Sequence, residues 1–373
     1  MQTRFGKWIS GENFPRVFFI LYILFMWITA WMTNRAFRML FERNHLFGLP
    51  YILFAVFAIM VIEQKNSRRR SIPYKKFIGF LTCFLIYDVF TLAIWGIVCF
   101  IFQVGGNAEG IGTLTLTAVS FLTVLFGYLY TKVIRTTAYS IKLGTAGNRY
   151  RIALISDIHM GAFVDSKHIE KVVNRINDLQ PDMVLIAGDI FDVDHALLEN
   201  TAELEKISKA FRRLRTKGGV YAVAGNHDPK LGDRTFRKFM EDSCIRLLDD
   251  EVVSLPTMNL VGRTDAANNR RRPIEEFLPQ CDPTKPIIII DHDPQHIREA
   301  AAANADLVLC GHTHRGQFFP VTLFTKWANG KHYFYGHEFF GKTHAVITSG
   351  AGFFQLPVRV GTSNEIADIQ LQI

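Results

Sequence analysis

The sequence has few cysteines, and none of them is spaced as in a disulfide framework or a zinc site. The five lie far apart along the 373 residues, at Cys83, Cys99, Cys244, Cys281 and Cys310. This spacing excludes a disulfide-stabilised secreted scaffold and indicates a reducing compartment. The chain also lacks internal repeats, low-complexity tracts and nucleic-acid-binding motifs, which argues against a solenoid and against a DNA- or RNA-binding module.

Charge is nearly absent from four long apolar runs in the first third of the chain. Residues 17–32, 46–62 and 111–130 carry no charged side chain, and residues 77–102 carry only Asp88. Each run is close to the roughly 20 residues that a helix needs to cross a bilayer. We therefore predict a membrane region over 1–135. About four transmembrane helices are expected, at approximately 14–33, 46–63, 77–102 and 111–130, with three helices as the main alternative.

Much of the positive charge lies beside these runs. The formal net charge is +8, and the segment 64–76 carries six Lys or Arg residues whereas 103–110 carries none. The positive-inside rule then predicts an integral, multi-pass protein of the cell (inner) membrane with everything after residue 130 in the cytoplasm. The loop with Arg35, Arg38 and Arg43 lies outside in this topology, against the rule. The charge favours membrane lipids as partners over nucleic acid.

Five polar clusters follow short apolar runs in the remainder of the chain. The runs are rich in β-branched residues and alternate with helical patterns at 167–179 and 201–214, as in buried parallel strands. Functional groups collect at the carboxyl ends of such strands, so we expect the clusters to form one site. In chain order they contain Asp157 and His159, Asp189 and Asp192, Asn226 and His227, Asp291 and His292, and His312 and His314.

The clusters supply the oxygen and nitrogen ligands that divalent metals bind. Any one of them alone is also compatible with a turn or an N-cap. Gly188, Gly225 and Gly311 are likewise compatible with ordinary strand-to-loop punctuation. The coincidence of five clusters nevertheless favours a metal site. The other histidines considered lack ligand spacing and are interpreted as packed or solvated, namely His168, His195, His296, His332, His337 and His344.

The order of the clusters resembles the calcineurin-like metallophosphoesterase signature. All five blocks of that signature are present between residues 157 and 314, and the tail at 356–366 resembles the membrane-associated bacterial branch of the family. The resemblance implies a four-layer αββα domain over 150–373, joined by a linker over 136–149 to the α-helical transmembrane region. It also implies two divalent metal ions, for which Mn, Fe and Zn all tolerate mixed carboxylate and imidazole ligands.

The resemblance assigns roles residue by residue. Asp189 matches the carboxylate that bridges both metals. Asp157, His159 and His314 match the ligands of one ion, and Asn226, His292 and His312 those of the other. A hydroxide on the metals would attack the phosphorus, since metal-bound water ionises near neutral pH. His227 matches the general acid for the leaving oxygen, and Asp192 matches the carboxylate that orients it.

Two positions depart from the pattern of the family. Arg315 stands where relatives often have glycine, and its guanidinium either binds a substrate phosphate or points to solvent. Asp291 precedes His292 where relatives often have serine, which adds a charge near the ligand. The ligand itself is retained, so the predicted chemistry is unchanged.

The sequence therefore predicts a membrane-anchored phosphoesterase that cleaves a phosphodiester or pyrophosphate bond. A lipid-linked substrate similar to UDP-diacylglucosamine, as in lipid A biosynthesis, is the leading hypothesis. Aromatic residues crowd 318–340, either as internal packing, as an acyl-chain entrance or as a membrane contact. Cyclic-nucleotide phosphodiesterase and protein phosphatase activities are the enzymatic alternatives. A non-catalytic scaffold and a membrane sensor or transporter are the other classes, and Asp88 is thin support for transport. The oligomeric state stays open.

Overall fold

The computed structural model describes residues 13–41, 72–144, 147–193, 195–268 and 270–373. The chain divides into two compact units, Met1–Phe126 and Gly127–Ile373. The predicted transmembrane segment at 46–63 and the basic residue Arg43 lie outside the described residues. We call Gly127–Ile373 the catalytic unit below, after the phosphoesterase domain that the sequence predicts over 150–373.

Three long helices occupy the described part of the first third: α1 (Asn13–Phe41), α2 (Ile72–Phe102) and α3 (Gly106–Tyr130), whose last residues belong to the catalytic unit. Both α2 and α3 begin five residues before the predicted segments. Their first turns contain Pro73 and Glu109, which favour a helix start without being apolar. Within the described ranges, α2 and α3 are long and apolar enough to cross a membrane. Asp88 is buried on α2.

The catalytic unit contains two six-stranded sheets. The first has the order β1-β12-β2-β3-β4-β5, and the second has the order β10-β11-β9-β8-β7-β6. The strands of the first sheet are β1 (Ile134–Lys142), β2 (Arg149–Ile155), β3 (Met183–Ala187), β4 (Val220–Val223), β5 (Arg246–Leu247) and β12 (Asn364–Gln372). Those of the second are β6 (Glu251–Ser254), β7 (Asn259–Gly262), β8 (Ile287–Ile290), β9 (Leu307–Cys310), β10 (Gly336–Phe340) and β11 (Thr343–Ile347).

Helices cover the outer faces of both sheets. Five α-helices follow in the described residues of the catalytic unit: α4 (Ser166–Leu179), α5 (Thr201–Phe211), α6 (Arg234–Asp242), α7 (Ile297–Ala302) and α8 (Val321–Asn329). Short 3-10 turns lie at Ala196–Glu199, Ile274–Glu276, Leu278–Gln280, Pro294–His296, His314–Gly316 and Lys331–Tyr333. Asp165 caps α4 by accepting the His168 N–H, and Asp233 caps α6 by accepting the Phe236 N–H.

The inner faces of the two sheets pack against each other. Leu154 and Leu185 of the first sheet share one fully buried apolar cluster with Ile288 and Leu309 of the second. A second cluster lies between the first sheet and α4, α5 and α6, and a third between the second sheet and α7. The fold is therefore the predicted four-layer αββα arrangement, and its strand-to-loop edges position the polar clusters.

Residues 136–149 differ from the predicted linker. Strand β1 covers 134–142, pairs in parallel with β12 and buries Ile141. The segment has only a weak apolar pattern, so its strand identity depends on its distant partner rather than on its own sequence. At the other end of the catalytic unit, strand β12 begins only at Asn364 and ends at Gln372. Residues 358–363 instead form a loop that buries Arg359.

Candidate metal centre

The predicted site residues follow the carboxyl ends of five parallel strands. Strands β2, β3 and β4 are parallel neighbours in the first sheet, and β8 and β9 are parallel neighbours in the second. Because the two sheets pack face to face, the loops after these strands meet at one edge of the sandwich. This juxtaposition brings together seven side chains that the sequence predicts as metal ligands: Asp157, His159, Asp189, Asn226, His292, His312 and His314.

One group of ligand atoms comes from the loops after β2 and β9. His159 Nε2 lies 3.1 Å from His314 Nε2, and His314 Nε2 lies 3.4 Å from Asp157 Oδ1. All three side chains are buried. The other ring nitrogens, Nδ1 of His159 and of His314, are buried and have no hydrogen-bond partner among the described residues. Two imidazole nitrogens and a carboxylate oxygen that converge in this way fit a single divalent cation.

A second group comes from the loops after β4, β8 and β9. Asn226 Oδ1 lies 3.1 Å from both His292 Nε2 and His312 Nδ1, and these two nitrogens lie 3.2 Å apart. His292 Nδ1 lies 2.8 Å from the Ala187 carbonyl oxygen at the end of β3. A proton on Nδ1 satisfies that carbonyl and turns the His292 Nε2 lone pair toward Asn226.

Asp189 lies between the two groups. Its Oδ2 is 3.6 Å from His159 Nε2 and 3.3 Å from His292 Nε2. Its Oδ1 accepts the backbone N–H of His227 at 2.9 Å. One carboxylate oxygen is thus within reach of both ligand groups, while the other is held in place by the backbone.

The electrostatics of the two groups differ. Burial lowers the pKa of His159 to about 3 and holds the pKa of His314 well below its usual range, so both rings are neutral and can donate lone pairs. Burial acts in the same direction on His292, but the carboxylates of Asp189 and Asp157 outweigh it and hold that pKa well above normal. The surroundings of His292 therefore favour a positive charge, which a metal ion supplies.

The backbone at the site is held in sparsely populated conformations. Positive φ angles of 49–52° occur at Asp157, His159, Asp189 and His314, and φ is 72° at His312. Such a concentration of left-handed non-glycine residues is typical of sites whose geometry is imposed by the surrounding fold.

The glycines before the ligands are required by close packing. Gly188 has φ of 80°, and a Cβ there would lie 2.6 Å from His292 Nδ1. A Cβ on Gly225 would overlap the Asp189 carboxylate, and one on Gly311 would overlap that of Asp157. These positions therefore require a residue without a Cβ, and the glycines do more than mark the ends of strands.

His227 lies at the rim of the site. It is half-buried, its ring stacks on Phe354 with centroids 4.7 Å apart, and it lies 5.7 Å from the His159 ring. Burial lowers its pKa. Asp192 Oδ1 accepts the backbone N–H of Val193 at 2.9 Å. The roles of His227 as acid and of Asp192 as its orienting carboxylate stay predictions.

The structure shows what surrounds the two residues that depart from the family pattern. The Arg315 guanidinium lies over the Tyr335 ring, 4.3 Å from the ring centroid. We predicted that it binds a phosphate or points to solvent, and this stacking contact was not predicted. Asp291 is buried and accepts two hydrogen bonds from the Arg271 guanidinium, at 3.0 and 2.6 Å. Its charge is therefore compensated within the protein.

Several residues that support the site have no predicted role. Asp228 accepts the N–H groups of Phe191 and Gly225, both at 2.8 Å, and so ties the loops after β3 and β4. His195, interpreted as packed or solvated, lies with Nε2 2.8 Å from the His227 carbonyl oxygen. Asp228 directly follows the third cluster, and this position could have predicted its role at the site. Nothing in the sequence around His195 predicts its contact with His227.

Comparison with known proteins agrees with the geometry. The family model described as calcineurin-like phosphoesterase matches residues 150–316. A Helicobacter pylori metallophosphoesterase is 31% identical over 268 residues, which cover 68% of this chain and 70% of that protein. The chain belongs to the calcineurin-like phosphoesterase family. As a member of it, the protein is a metal-dependent phosphoester hydrolase.

Other similar proteins include membrane proteins. A Danio rerio transmembrane protein with metallophosphoesterase domain is 30% identical, over 62% of this chain and 55% of that protein. A solved archaeal phosphodiesterase has 16% identity and a TM-score of 0.32, and the match covers 54% of this chain and 84% of that one. With the apolar helices α2 and α3, the transmembrane relative supports a membrane-associated protein.

Proposed function

We propose that the protein is a membrane-anchored phosphoesterase with two metal ions, acting on a phosphodiester or pyrophosphate bond. The observation that carries the proposal is the position of Asp189 Oδ2, 3.6 Å from His159 Nε2 and 3.3 Å from His292 Nε2. A carboxylate shared in this way is what a pair of ions about 3.5–4 Å apart requires.

Each group of side chains has a separate task. Asp157, His159 and His314 would hold one ion, Asn226, His292 and His312 would hold the other, and Asp189 is placed to contribute to both. When bound, the ions would supply an ionised water as nucleophile and neutralise charge on the phosphoryl oxygens. His227 stands at the rim, where its ring donates a proton to the leaving oxygen. Stacking on Phe354 fixes the plane of that ring.

The substrate class we propose is a lipid-linked phosphodiester or pyrophosphate. Helices α2 and α3 support this class, since a catalytic unit tethered to a bilayer meets lipid substrates at high effective concentration. The test is to load the purified full chain with Mn, Fe or Zn. It is then assayed against bis-p-nitrophenyl phosphate, a nucleotide-diphosphate lipid, a cyclic nucleotide and a phosphopeptide. Turnover of the cyclic nucleotide or the phosphopeptide well above that of the lipid would reject the lipid class.

We also propose that the catalytic unit faces the cytoplasm, on the basis of the basic segment 64–76 and the absence of positive charge in 103–110. Cys244 provides the test, because its side chain is exposed on the catalytic unit while Cys83, Cys99 and Cys310 are buried. A membrane-impermeant maleimide should label Cys244 only after cells are opened. A Cys244→Ser variant gives the background. Labelling of Cys244 in intact cells would show that the catalytic unit faces outward and would contradict the proposed orientation.

A further inference from the structure

Exposed apolar side chains of the catalytic unit concentrate on α8 and its flanks. Six of the nine large hydrophobic residues that are exposed in the described part of Gly127–Ile373 lie between 319 and 339. Trp327 is 68% exposed, Leu323 62% and Phe324 46%. Three such side chains within five residues of one helix mark an interaction site rather than scattered exposure.

Helix α8 has the reverse of the usual amphipathic arrangement. Thr322, Thr325 and Asn329 are half-buried, and Thr322 and Thr325 lie against Gly316 of the preceding turn. At 100° per residue, Leu323, Phe324 and Trp327 lie on the opposite side. A helix of a soluble domain turns its apolar side to the core. Here the polar side faces the domain, and the apolar side faces outward.

Basic residues lie on this helix and directly after it. Lys326 lies on α8 one turn from Leu323, and Lys331 follows the helix; both are exposed. The nearby acidic residue Glu338 pairs with His332, with Nδ1 and Oε2 2.7 Å apart. An outward apolar surface with an aromatic anchor and a cationic border is the pattern of a helix that lies in a bilayer interface.

We propose that α8 is an interfacial helix, which inserts Leu323, Phe324 and Trp327 into the surface of an anionic bilayer. The helix begins seven residues after His314, so insertion holds the metal centre next to the lipid headgroups. The inference deepens the proposed function, on which its substrate aspect rests. It explains how a phosphate group at the membrane surface reaches the metal centre without leaving the bilayer.

The insertion is tested by the depth of a label on the full chain in vesicles of phosphatidylglycerol and phosphatidylcholine. In a Cys244→Ser, Cys281→Ser background, Leu323→Cys carries an environment-sensitive fluorophore, and Glu205→Cys on α5 is the control, since Glu205 is 65% exposed. Doxyl-labelled lipids should quench the label at 323 and leave the one at 205 unchanged. Equal, weak quenching at both positions would overturn the proposal, as would cross-linking of two copies through 323.

Activity gives an independent readout. Leu323→Glu combined with Trp327→Glu should lower hydrolysis of a lipid phosphodiester in vesicles by at least about 10-fold, since the tethered catalytic unit no longer holds its metal centre against the headgroups. Hydrolysis of bis-p-nitrophenyl phosphate should stay unchanged, as in the control Lys209→Glu on α5. A parallel loss on both substrates would show that this surface is structural and overturn the proposal.

The two proposals fail in different ways. If the unmodified chain hydrolyses bis-p-nitrophenyl phosphate but no lipid, the lipid substrate class fails while the quenching result still decides whether α8 inserts. Quenching at 323 should also depend on the anionic lipid, because the lysines are attracted to it. Removal of each lysine should lower the membrane affinity of the helix roughly fivefold. Quenching that is identical in vesicles of pure phosphatidylcholine would overturn the role of Lys326 and Lys331.

Discussion

The guanidinium of Arg359 donates a hydrogen bond to the backbone carbonyl of His314, with Nη1 and O 2.9 Å apart. Arg359 is fully buried, and its other donors reach the carbonyls of Ser349 and Gly352 and the side chain of Asn364. His314 has a left-handed backbone conformation, with φ of 51°. The guanidinium therefore links the strained turn that carries His314, a predicted metal ligand, to the loop that contains Ser349 and Gly352.

Replacing Arg359 with Met should destabilise the protein and loosen one metal. Several buried carbonyls lose their donor, and each costs about 1–3 kcal/mol when left unpaired. We expect the free energy of unfolding to fall by at least about 3 kcal/mol and the metal dependence of activity to move to higher concentrations. Denaturant unfolding and metal titration provide the measurements. Arg246→Met, which removes a surface pair with Glu251, should change stability by less than about 1 kcal/mol.

Asp189→Asn should reduce metal binding at both groups of predicted ligands, not at one group alone. The amide cannot neutralise two cations, so the loss of activity should exceed the roughly 10–100-fold typical of changes outside the ligand shell. Elemental analysis of the purified variant measures occupancy, and Asp178→Asn on the exposed face of α4 serves as the matched control. Two full equivalents of metal in Asp189→Asn would refute the shared carboxylate.

His227→Ala should separate chemistry from metal binding. The variant keeps its metals, and its turnover falls by roughly 10²–10⁴, the usual contribution of a general acid. Because nitrophenolate leaves without protonation, the loss should be far smaller for bis-p-nitrophenyl phosphate than for a dialkyl phosphodiester. Equal losses on the two substrates would rule out proton donation by His227.

The Asp368–Arg151 pair should make stability depend on pH below neutrality. Burial would raise the pKa of Asp368, but two hydrogen bonds from Arg151, at 2.7 and 2.8 Å, outweigh it and lower that pKa. The pair therefore stabilises the fold above the unfolded pKa of about 3.9, and this contribution is lost as pH falls through the folded pKa.

Asp368→Asn tests this sign. Arg151 is partly exposed, so the variant should be less stable at pH 7 by only about 1 kcal/mol or less. Denaturant unfolding at pH 7, 5 and 3.5 should show a constant difference between the first two values and a smaller one at the third. A difference that grows toward low pH would contradict the assignment.

Strand β1 determines where the catalytic unit can be shortened. A chain that begins at Gly127 retains β1 and the hydrogen bond from Asn364 to the Thr131 carbonyl, so it should fold and hydrolyse bis-p-nitrophenyl phosphate. A chain that begins at Tyr150 exposes an edge of β12 and the cavity left by Ile141, and it should aggregate. Size-exclusion chromatography and circular dichroism distinguish the two, and equal behaviour would contradict a structural role for β1.

The sequence predicts the alternation of strands and helices because short apolar runs, each ending in a polar cluster, alternate with helical patterns, whereas the four-layer αββα arrangement is implied by the family resemblance that those clusters carry. The structure brings the predicted ligands from Asp157 to His314 together because the strands that precede them, three in the first sheet and two in the second, end at one edge of the sandwich. Helix positions in the catalytic unit also follow from apolar periodicity: 167–179 was predicted, and Ser166–Leu179 is observed.

Contacts between distant segments explain what the sequence does not predict. β1 is identified only by its pairing with a strand more than 200 residues later. Arg359 lies between two valines in a tail whose burial depends on His314 and Ser349. The outward position of the apolar side of α8 is also not predicted. Periodicity shows that a helix has an apolar side, but it does not show whether that side packs on the core or faces outward.

The position of β12 constrains the order in which the protein can assemble during synthesis. This strand follows all the others in sequence, yet it lies inside the first sheet, between β1 and β2. Strand β2 also pairs with β3, but among the described strands β1 pairs only with β12, so the final position of β1 waits until the ribosome has delivered residues 364–372. Until then the loops carrying Asp157 and His159 border an incomplete sheet. Metal capture should therefore follow the synthesis of residues 364–372 rather than that of the ligand loops.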